Sequence, residues 1–95
     1  MQVISVDFDD TYTSDPDLFG SFIKLAIERG HLVICVTSRN QNRDNADIES
    51  AMQGIEIVYT NGKPKKEAVK DQGIPEVNIW IDDMPQHIES MEIKE

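Results

Sequence analysis

Four apolar segments divide the chain, and polar residues bound each of them. The segments at residues 2–7 (QVISVD), 31–37 (HLVICVT), 55–60 (IEIVYT) and 77–82 (VNIWID) are rich in β-branched residues and are predicted strands. The second segment is apolar without alternation, which is typical of a strand covered on both faces. The pattern therefore favours a parallel sheet with helices on both sides.

The segment between the first two strands carries the signals of a helix. Asp15 can act as its N-cap, Pro16 suits the first helical position, and Gly30 follows its end. Its apolar residues form two adjoining rows at helical spacing: Leu18, Phe22, Leu25 and Ala26, widened by Phe19, Ile23 and Ile27. Two such rows predict a helix that packs on a sheet.

Helices are also predicted after the other three strands, at residues 44–53, 64–73 and 84–95. The alternation of strands and helices predicts a three-layer, Rossmann-like α/β fold with a parallel sheet and right-handed crossovers. A chain of 95 residues has room for one such unit, so residues 1–95 are interpreted as a single domain.

Composition narrows the classes of partner and compartment. The chain has 9 basic and 18 acidic residues, and a net charge of −9 disfavours nucleic acid and anionic membranes as partners without removing a local basic site. There is no signal-peptide pattern after Met1 and no apolar stretch of membrane-spanning length, so we expect a cytoplasmic protein. Cys35, the single cysteine, is expected to be a small buried hydrophobe.

Polar residues follow every predicted strand, at the edge where parallel sheets bind ligands. They are Asp7, Asp9 and Thr11; Thr37, Ser38 and Arg39; Thr60, Asn61, Gly62 and Lys63; and Asp82 and Asp83. Carboxylates brought together in this way repel one another unless a cation lies among them. Mg²⁺ accepts one or two carboxylates and keeps positions open for phosphate oxygens, so it is the predicted cofactor.

Four motifs at these strand ends resemble those of the haloacid-dehalogenase-like phosphohydrolases. VDFDDT matches the DxDxT signature after the first strand, and ICVTS resembles the second motif, an apolar strand ending in Thr or Ser. GKPKKEA resembles the third motif, a lysine at the start of a helix, and IWIDDMP the fourth, a strand ending in an acidic pair. The motifs occur in the family's order and span residues 3–85.

The resemblance implies roles for the acidic residues. Asp7 would be the nucleophile that forms an aspartyl-phosphate, and Asp9 would protonate the leaving oxygen and later deprotonate water. The metal would be held by the Asp7 carboxylate, the Asp9 backbone carbonyl and Asp83, with Asp82 acting directly or through water. Asp10 occupies a position where many relatives have Gly, and we interpret it as tolerated.

The resemblance also implies groups that bind the phosphoryl oxygens of a substrate. Thr37 would donate a hydrogen bond to one of them, with Ser38 as a rival for this role. Independently of the resemblance, Arg39 lies just beyond Thr37 and could contact substrate phosphate or be an ordinary surface arginine. Lys63 would offset negative charge in the transition state. KPKK offers two other lysines, which are expected to be solvated at the helix start: Lys65 and Lys66.

The spacing of the motifs leaves no room for the cap domain of larger relatives. The resemblance is thus to capless members, with a four-stranded sheet ordered 3-2-1-4, and MEIKE is too short for the fifth strand common in relatives. An open site could accept phosphorylated small molecules or macromolecules, or be covered by a partner subunit. Oligomerisation could also shield the sheet edges, so a homo-oligomer stays an alternative to a monomer.

The sequence therefore predicts a Mg²⁺-dependent phosphomonoesterase whose substrate is undetermined. One alternative is a binding or regulatory module that keeps the fold and the metal site without turnover. Another is a phosphatase of nucleotides or polynucleotide ends, because IDDMP looks similar to the ending of some deoxyribonucleotidases of the family, although those carry caps.

Overall fold

The computed structural model of the protein describes residues 1–90. Its sheet has four parallel strands, each lying inside its predicted segment: β1 (Val3–Val6), β2 (Leu32–Thr37), β3 (Glu56–Tyr59) and β4 (Ile79–Ile81). The strand order is β3-β2-β1-β4, and all three neighbouring pairs are parallel. The α/β class and the predicted order 3-2-1-4 are confirmed.

In the described part of the chain, four α-helices connect or follow the strands: α1 (Pro16–Glu28), α2 (Ala46–Ala51), α3 (Lys65–Asp71) and α4 (Gln86–Glu89). The predicted N-cap of α1 is confirmed, because the Asp15 carboxylate accepts a hydrogen bond from the Leu18 N–H at 3.1 Å. The end of the last predicted helix, with Met91, and the MEIKE segment lie outside the described residues. Within residues 1–90, every helix is too short or too polar to cross a bilayer.

The core consists of two apolar clusters, one on each face of the sheet. Because successive strand residues point to opposite faces, Cys35 packs with α1 and α2 on one side, whereas Ile34 and Val36 pack with α3 on the other. Cys35 is completely buried, as predicted. Helices therefore cover both faces of the sheet, which explains the unbroken apolar sequence of β2.

The apolar stripe of α1 is wider than the surface that it buries. Ile23 and Ala26 are buried, but Leu18 and Leu25 are 58% and 51% exposed, so their predicted place in the packed face is wrong. Ile27 is exposed as well. α1 packs against β2 and the turn at Tyr12–Ser14, and this contact buries a narrower strip than the apolar stripe offers.

Candidate active site

Asp7 lies at the end of β1 beside β4, and the loop that follows turns back towards Asp7. The Asp7 N–H donates to the Ile81 carbonyl at 2.9 Å, which fixes Asp7 beside β4. The backbone then passes through Asp10 at φ 63°, a left-handed conformation, into a 3-10 turn at Tyr12–Ser14. The Tyr12 N–H closes the loop on the Asp7 carbonyl at 3.2 Å. Thr11 is thereby directed back to the Asp7 carboxylate.

Three of the predicted acidic residues meet at this edge of the sheet. Asp7, Asp82 and Asp83 each offer a carboxylate oxygen within 4.8 Å of the other two. The Thr11 hydroxyl lies 3.1 Å from an oxygen of Asp7 and 3.1 Å from an oxygen of Asp83, and it accepts a hydrogen bond from the Asp83 N–H. The first and fourth motifs are therefore joined through Thr11, a contact that the sequence did not specify.

Lys65 is the lysine that reaches the acidic cluster, and the sequence-based choice of Lys63 is corrected. The Lys65 ammonium lies 2.8 Å from Asp7 Oδ1 and also donates to Asp82, and the residue is 2% exposed. Lys63 instead forms an ion pair with Asp71 at the surface, at 2.9 Å. The difference arises because Lys65 is the first residue of α3, which packs on the sheet, whereas Lys63 precedes Pro64 in the loop. Lys66 is exposed, as predicted, and pairs with Glu89.

Asp9 lies apart from the three-acid cluster, because its carboxylate is held by Arg39. Arg39 Nε and Nη2 donate to the two oxygens of Asp9, each at 2.8 Å, and its other donors reach Asp47 and Asn45. Arg39 is buried and stacks over the Phe8 ring at 5.1 Å. Arg39 was a candidate for substrate contact, but all five guanidinium N–H groups are already engaged.

Thr37 and Ser38 complete the polar edge at the end of β2. Thr37 is buried, and its hydroxyl oxygen accepts a hydrogen bond from the Arg39 N–H at 3.2 Å, so its own proton is free to donate. Ser38 is exposed. Both line a cavity of about 150 Å³ whose wall includes Asp7, Lys65 and His87. Of the predicted site residues, Arg39 and Lys63 do not line it.

Cavity size does not identify this site. Three other cavities, of about 310, 380 and 550 Å³, are larger, and the last two meet at Lys66 and Trp80 on the side of α3 and α4. None of the three is lined by Asp7, Lys65 or Thr37. The chemistry is concentrated in the smaller cavity, where charged groups are buried, and we take that cavity as the candidate site.

Burial and charge shift the protonation of the cluster. Burial raises the pKa of Asp7 to about 6, against the opposing effect of Lys65, and Asp83 and Asp82 raise it further. The pKa of Asp83 is lowered, chiefly because its carboxylate accepts a hydrogen bond from the Asp7 carboxyl. Burial acts to lower the pKa of Lys65, but its hydrogen bonds to Asp7 and Asp82 outweigh this and raise it.

The donor set fits a hard divalent cation. When ionised, the three carboxylates and the Lys65 ammonium together carry two negative charges, which is the charge that one Mg²⁺ offsets. Carboxylate oxygens are also the ligands that Mg²⁺ prefers. Comparisons with models of protein families, with curated proteins and with solved structures found no match to this chain.

Proposed function

We propose that the protein is a Mg²⁺-dependent phosphohydrolase that cleaves phosphomonoesters through an aspartyl-phosphate on Asp7. One observation carries the proposal: a buried carboxylate, Asp7, lies 2.8 Å from a buried lysine and beside two further carboxylates, at a cavity lined by hydroxyl groups. A nucleophile for phosphate, a cation for its charge and a metal-type donor set are thereby brought together. The order of the four sequence motifs supports the same function.

Asp7 is suited to attack phosphorus because its carboxylate is fixed at both oxygens. Oδ1 accepts from Lys65, and Oδ2 lies within hydrogen-bond distance of Thr11, so the side chain has one orientation. An Asp7 oxygen forms the bond to phosphorus while the bond to the leaving oxygen breaks. Asp9 gives its proton to that oxygen, then takes one from a water that attacks phosphorus. The Asp7–phosphorus bond breaks in this second step, and inorganic phosphate leaves.

Asp7 and Asp83 are the residues that we expect to hold the metal directly. The Asp82 side chain is 3% exposed and is held by Lys65, whereas Asp83 is exposed and can meet an ion that arrives from solvent, which favours Asp83 over Asp82. The contribution expected from Asp9 is its backbone carbonyl, and it stays a prediction. When bound, Mg²⁺ supplies charge neutralisation that lets an anionic carboxylate approach a phosphate.

Two groups are placed to bind the phosphoryl oxygens. The Thr37 hydroxyl keeps its proton for a phosphoryl oxygen, because it accepts its other hydrogen bond from the backbone. The Lys65 ammonium offers positive charge where negative charge develops in the transition state. Ser38, exposed beside Thr37, is a second hydroxyl at the same edge.

A binding or regulatory module remains the second candidate, and one observation favours it. The carboxylate expected to transfer protons, Asp9, is engaged at both oxygens by Arg39. A protein that bound metal and phosphate without turnover would tolerate this pairing. The substrate class, a homo-oligomer and a cytoplasmic location all stay predictions from sequence, and the acidic net charge continues to disfavour polynucleotide ends.

Hydrolysis of p-nitrophenyl phosphate with Mg²⁺ tests the proposal. We expect turnover that EDTA abolishes and that Asp7→Asn reduces by at least about 10³-fold, because the nucleophile is lost. Asp17→Asn, on the exposed face of α1, is the matched control and should match the wild type. Mass spectrometry of acid-quenched protein should place a phosphoryl group on the peptide that contains Asp7. Equal turnover in Asp7→Asn would remove the nucleophile assignment, and Mg²⁺ binding without turnover would favour the module.

A further inference from the structure

The Arg39 guanidinium makes more hydrogen bonds than a surface ion pair does. Its Nη1 and Nη2 donate to the two oxygens of Asp47, at 2.6 and 2.8 Å. Its Nε and Nη2 donate to the two oxygens of Asp9. Its side chain is 6% exposed, whereas those of Asp9 and Asp47 are 50% and 59% exposed. The hydrogen bonds to Asp47 and Asp9 raise the pKa of Arg39 above its usual range, so it stays charged. A buried cation thus links two exposed carboxylates.

The loop around Arg39 is built to keep it in place. Asn45, which is 5% exposed, donates through its side-chain amide to the carbonyls of Asn40, Gln41 and Arg43, at 3.1–3.3 Å. These bonds tie the loop after β2 to the start of α2. The guanidinium also lies over the Phe8 ring, 5.1 Å from its centre. The planar guanidinium of Arg39 therefore has one orientation, and its two hydrogen bonds to Asp9 fix the orientation of the Asp9 carboxylate.

We infer that Arg39 is a positioning residue that aims the Asp9 carboxylate at the leaving oxygen of the substrate, with Asp47 as its anchor. This inference rests on the proposed phosphohydrolase function. Arg39 is not a substrate ligand, because its five N–H groups are all engaged. Asp9 lines the cavity, so the residue that Arg39 orients lies at the reacting groups. Each Asp9 oxygen keeps a second lone pair, on which the transferred proton can be carried.

If Arg39 orients Asp9, the rate loss caused by removing Arg39 should depend on the leaving group of the substrate. An alkyl phosphate releases a strongly basic alkoxide, which needs the proton from Asp9 as the bond from phosphorus to oxygen breaks. A p-nitrophenyl phosphate releases a weakly basic phenolate, which leaves without that proton. Losing the orientation of Asp9 should therefore slow the alkyl substrate far more than the aryl substrate, whereas a general loss of structure would slow both equally.

The test compares kcat/KM, which reports the step that releases the leaving group, for glycerol phosphate and p-nitrophenyl phosphate in the Mg²⁺-loaded protein. We expect Arg39→Met to lower kcat/KM by about 10²-fold for the alkyl substrate and by less than about 10-fold for the aryl substrate. Asp9→Asn should show the same selectivity, and the double variant should be no slower than Asp9→Asn alone, because the two residues act as one unit. The inhibition constant of inorganic phosphate should stay within about twofold, since Arg39 does not bind phosphate.

If Arg39→Met folds poorly, Asp47→Ala provides a second test. Asp47 is an exposed residue of α2, so its replacement should disturb the fold less. It should reproduce the selective loss in milder form, about 10-fold for the alkyl substrate. Glu49→Ala, an exposed acid two residues along the same helix, is the control and should have no effect.

Equal losses on both substrates, or a double variant whose losses multiply, would overturn the inference and leave the proposed function standing. A faster reaction of the alkyl substrate in Arg39→Met would also overturn it, because the pairing would then restrain Asp9. A wild-type protein inactive toward both substrates would overturn the proposed function, and this inference with it.

Discussion

The Lys65 ammonium and the Asp7 carboxylate form a buried ion pair at 2.8 Å, although the two residues are 58 positions apart in the chain. Lys65 also donates to Asp82, so one cation satisfies the ends of β1 and β4 together. Removing one partner of a buried pair leaves an uncompensated charge, which typically costs about 3–5 kcal/mol. Folding and the proposed chemistry therefore depend on the same lysine.

Lys65→Met should lower kcat/KM for p-nitrophenyl phosphate by at least about 100-fold, because the charge beside the attacking carboxylate is lost. It should also lower the free energy of unfolding in urea by about 3 kcal/mol at neutral pH. Lys63→Met is the matched control, two residues away and on an exposed ion pair, and should change either quantity by less than about 1 kcal/mol. A larger loss in Lys63→Met than in Lys65→Met would contradict the site geometry.

The metal-free protein should lose stability as pH rises from 3.8 to about 6. The pKa of Asp7 is raised to about 6 by burial, so the folded state holds this proton more tightly than the unfolded state does. Its contribution is complete below 3.8 and is lost as pH passes about 6, a change of about 3 kcal/mol. Urea unfolding in EDTA across this range measures it.

Asp7→Asn is the control for the pH experiment, because an amide does not titrate, and it should flatten the curve between 3.8 and about 6. The lowered pKa values of Asp83 and Asp47 act in the opposite direction, and their contribution is lost on acidification below 3.8. The two effects therefore occupy separate pH ranges. An Asp7→Asn curve identical to that of the wild type would contradict the assignment.

Mg²⁺ should stabilise the folded protein, and Asp83 should be needed for this. At about 100 times the dissociation constant, a ligand of the folded state adds about 2.7 kcal/mol, which thermal unfolding detects as a rise in Tm. Asp83→Asn should remove most of this rise, because Asp83 is one of the three converging carboxylates. Asp44→Asn, an exposed acid outside that cluster, should keep it. A full rise in Asp83→Asn would exclude Asp83 as a ligand.

Asp10→Gly should leave stability within about 1 kcal/mol of the wild type, whereas Asp10→Val should cost about 1–2 kcal/mol. Asp10 is exposed and has φ 63°, a conformation that Gly adopts freely and a β-branched residue resists. Asp10→Asn, which tolerates this conformation, is the control and should resemble the wild type. Urea unfolding measures all three, and a stable Asp10→Val would show that the loop adapts.

The sequence predicted the strands and the convergence of Asp7 with Asp82 and Asp83, because residues at the carboxyl ends of parallel strands must meet. The sequence could not show which lysine of KPKK reaches the acidic cluster. That choice depends on which lysine opens α3 against the sheet, and one residue of shift in a helix start rotates a side chain by about 100°.

Contacts between distant segments were the other part that the sequence could not supply. Asp47 is an ordinary acid in a helical pattern, and its link to Arg39 depends on how α2 is placed beside β2. The exposed Leu18 and Leu25 likewise follow from how α1 is placed against β2, and not from the pattern of α1 itself. Periodicity gives the apolar face of a helix, but the neighbouring element decides how much of it is covered.

Cys35 is buried at the centre of β2, between β1 and β3, so the rate at which a reagent modifies its thiol can measure opening of the fold. Burial raises the pKa of its thiol to about 12, and the chain has no other cysteine, so a thiol reagent added to the native protein has one place to react. It can do so when α1 and α2 move away from that face of the sheet or when the strands separate. The rate of alkylation therefore reports how often this side of the core opens, without a dye or an engineered label.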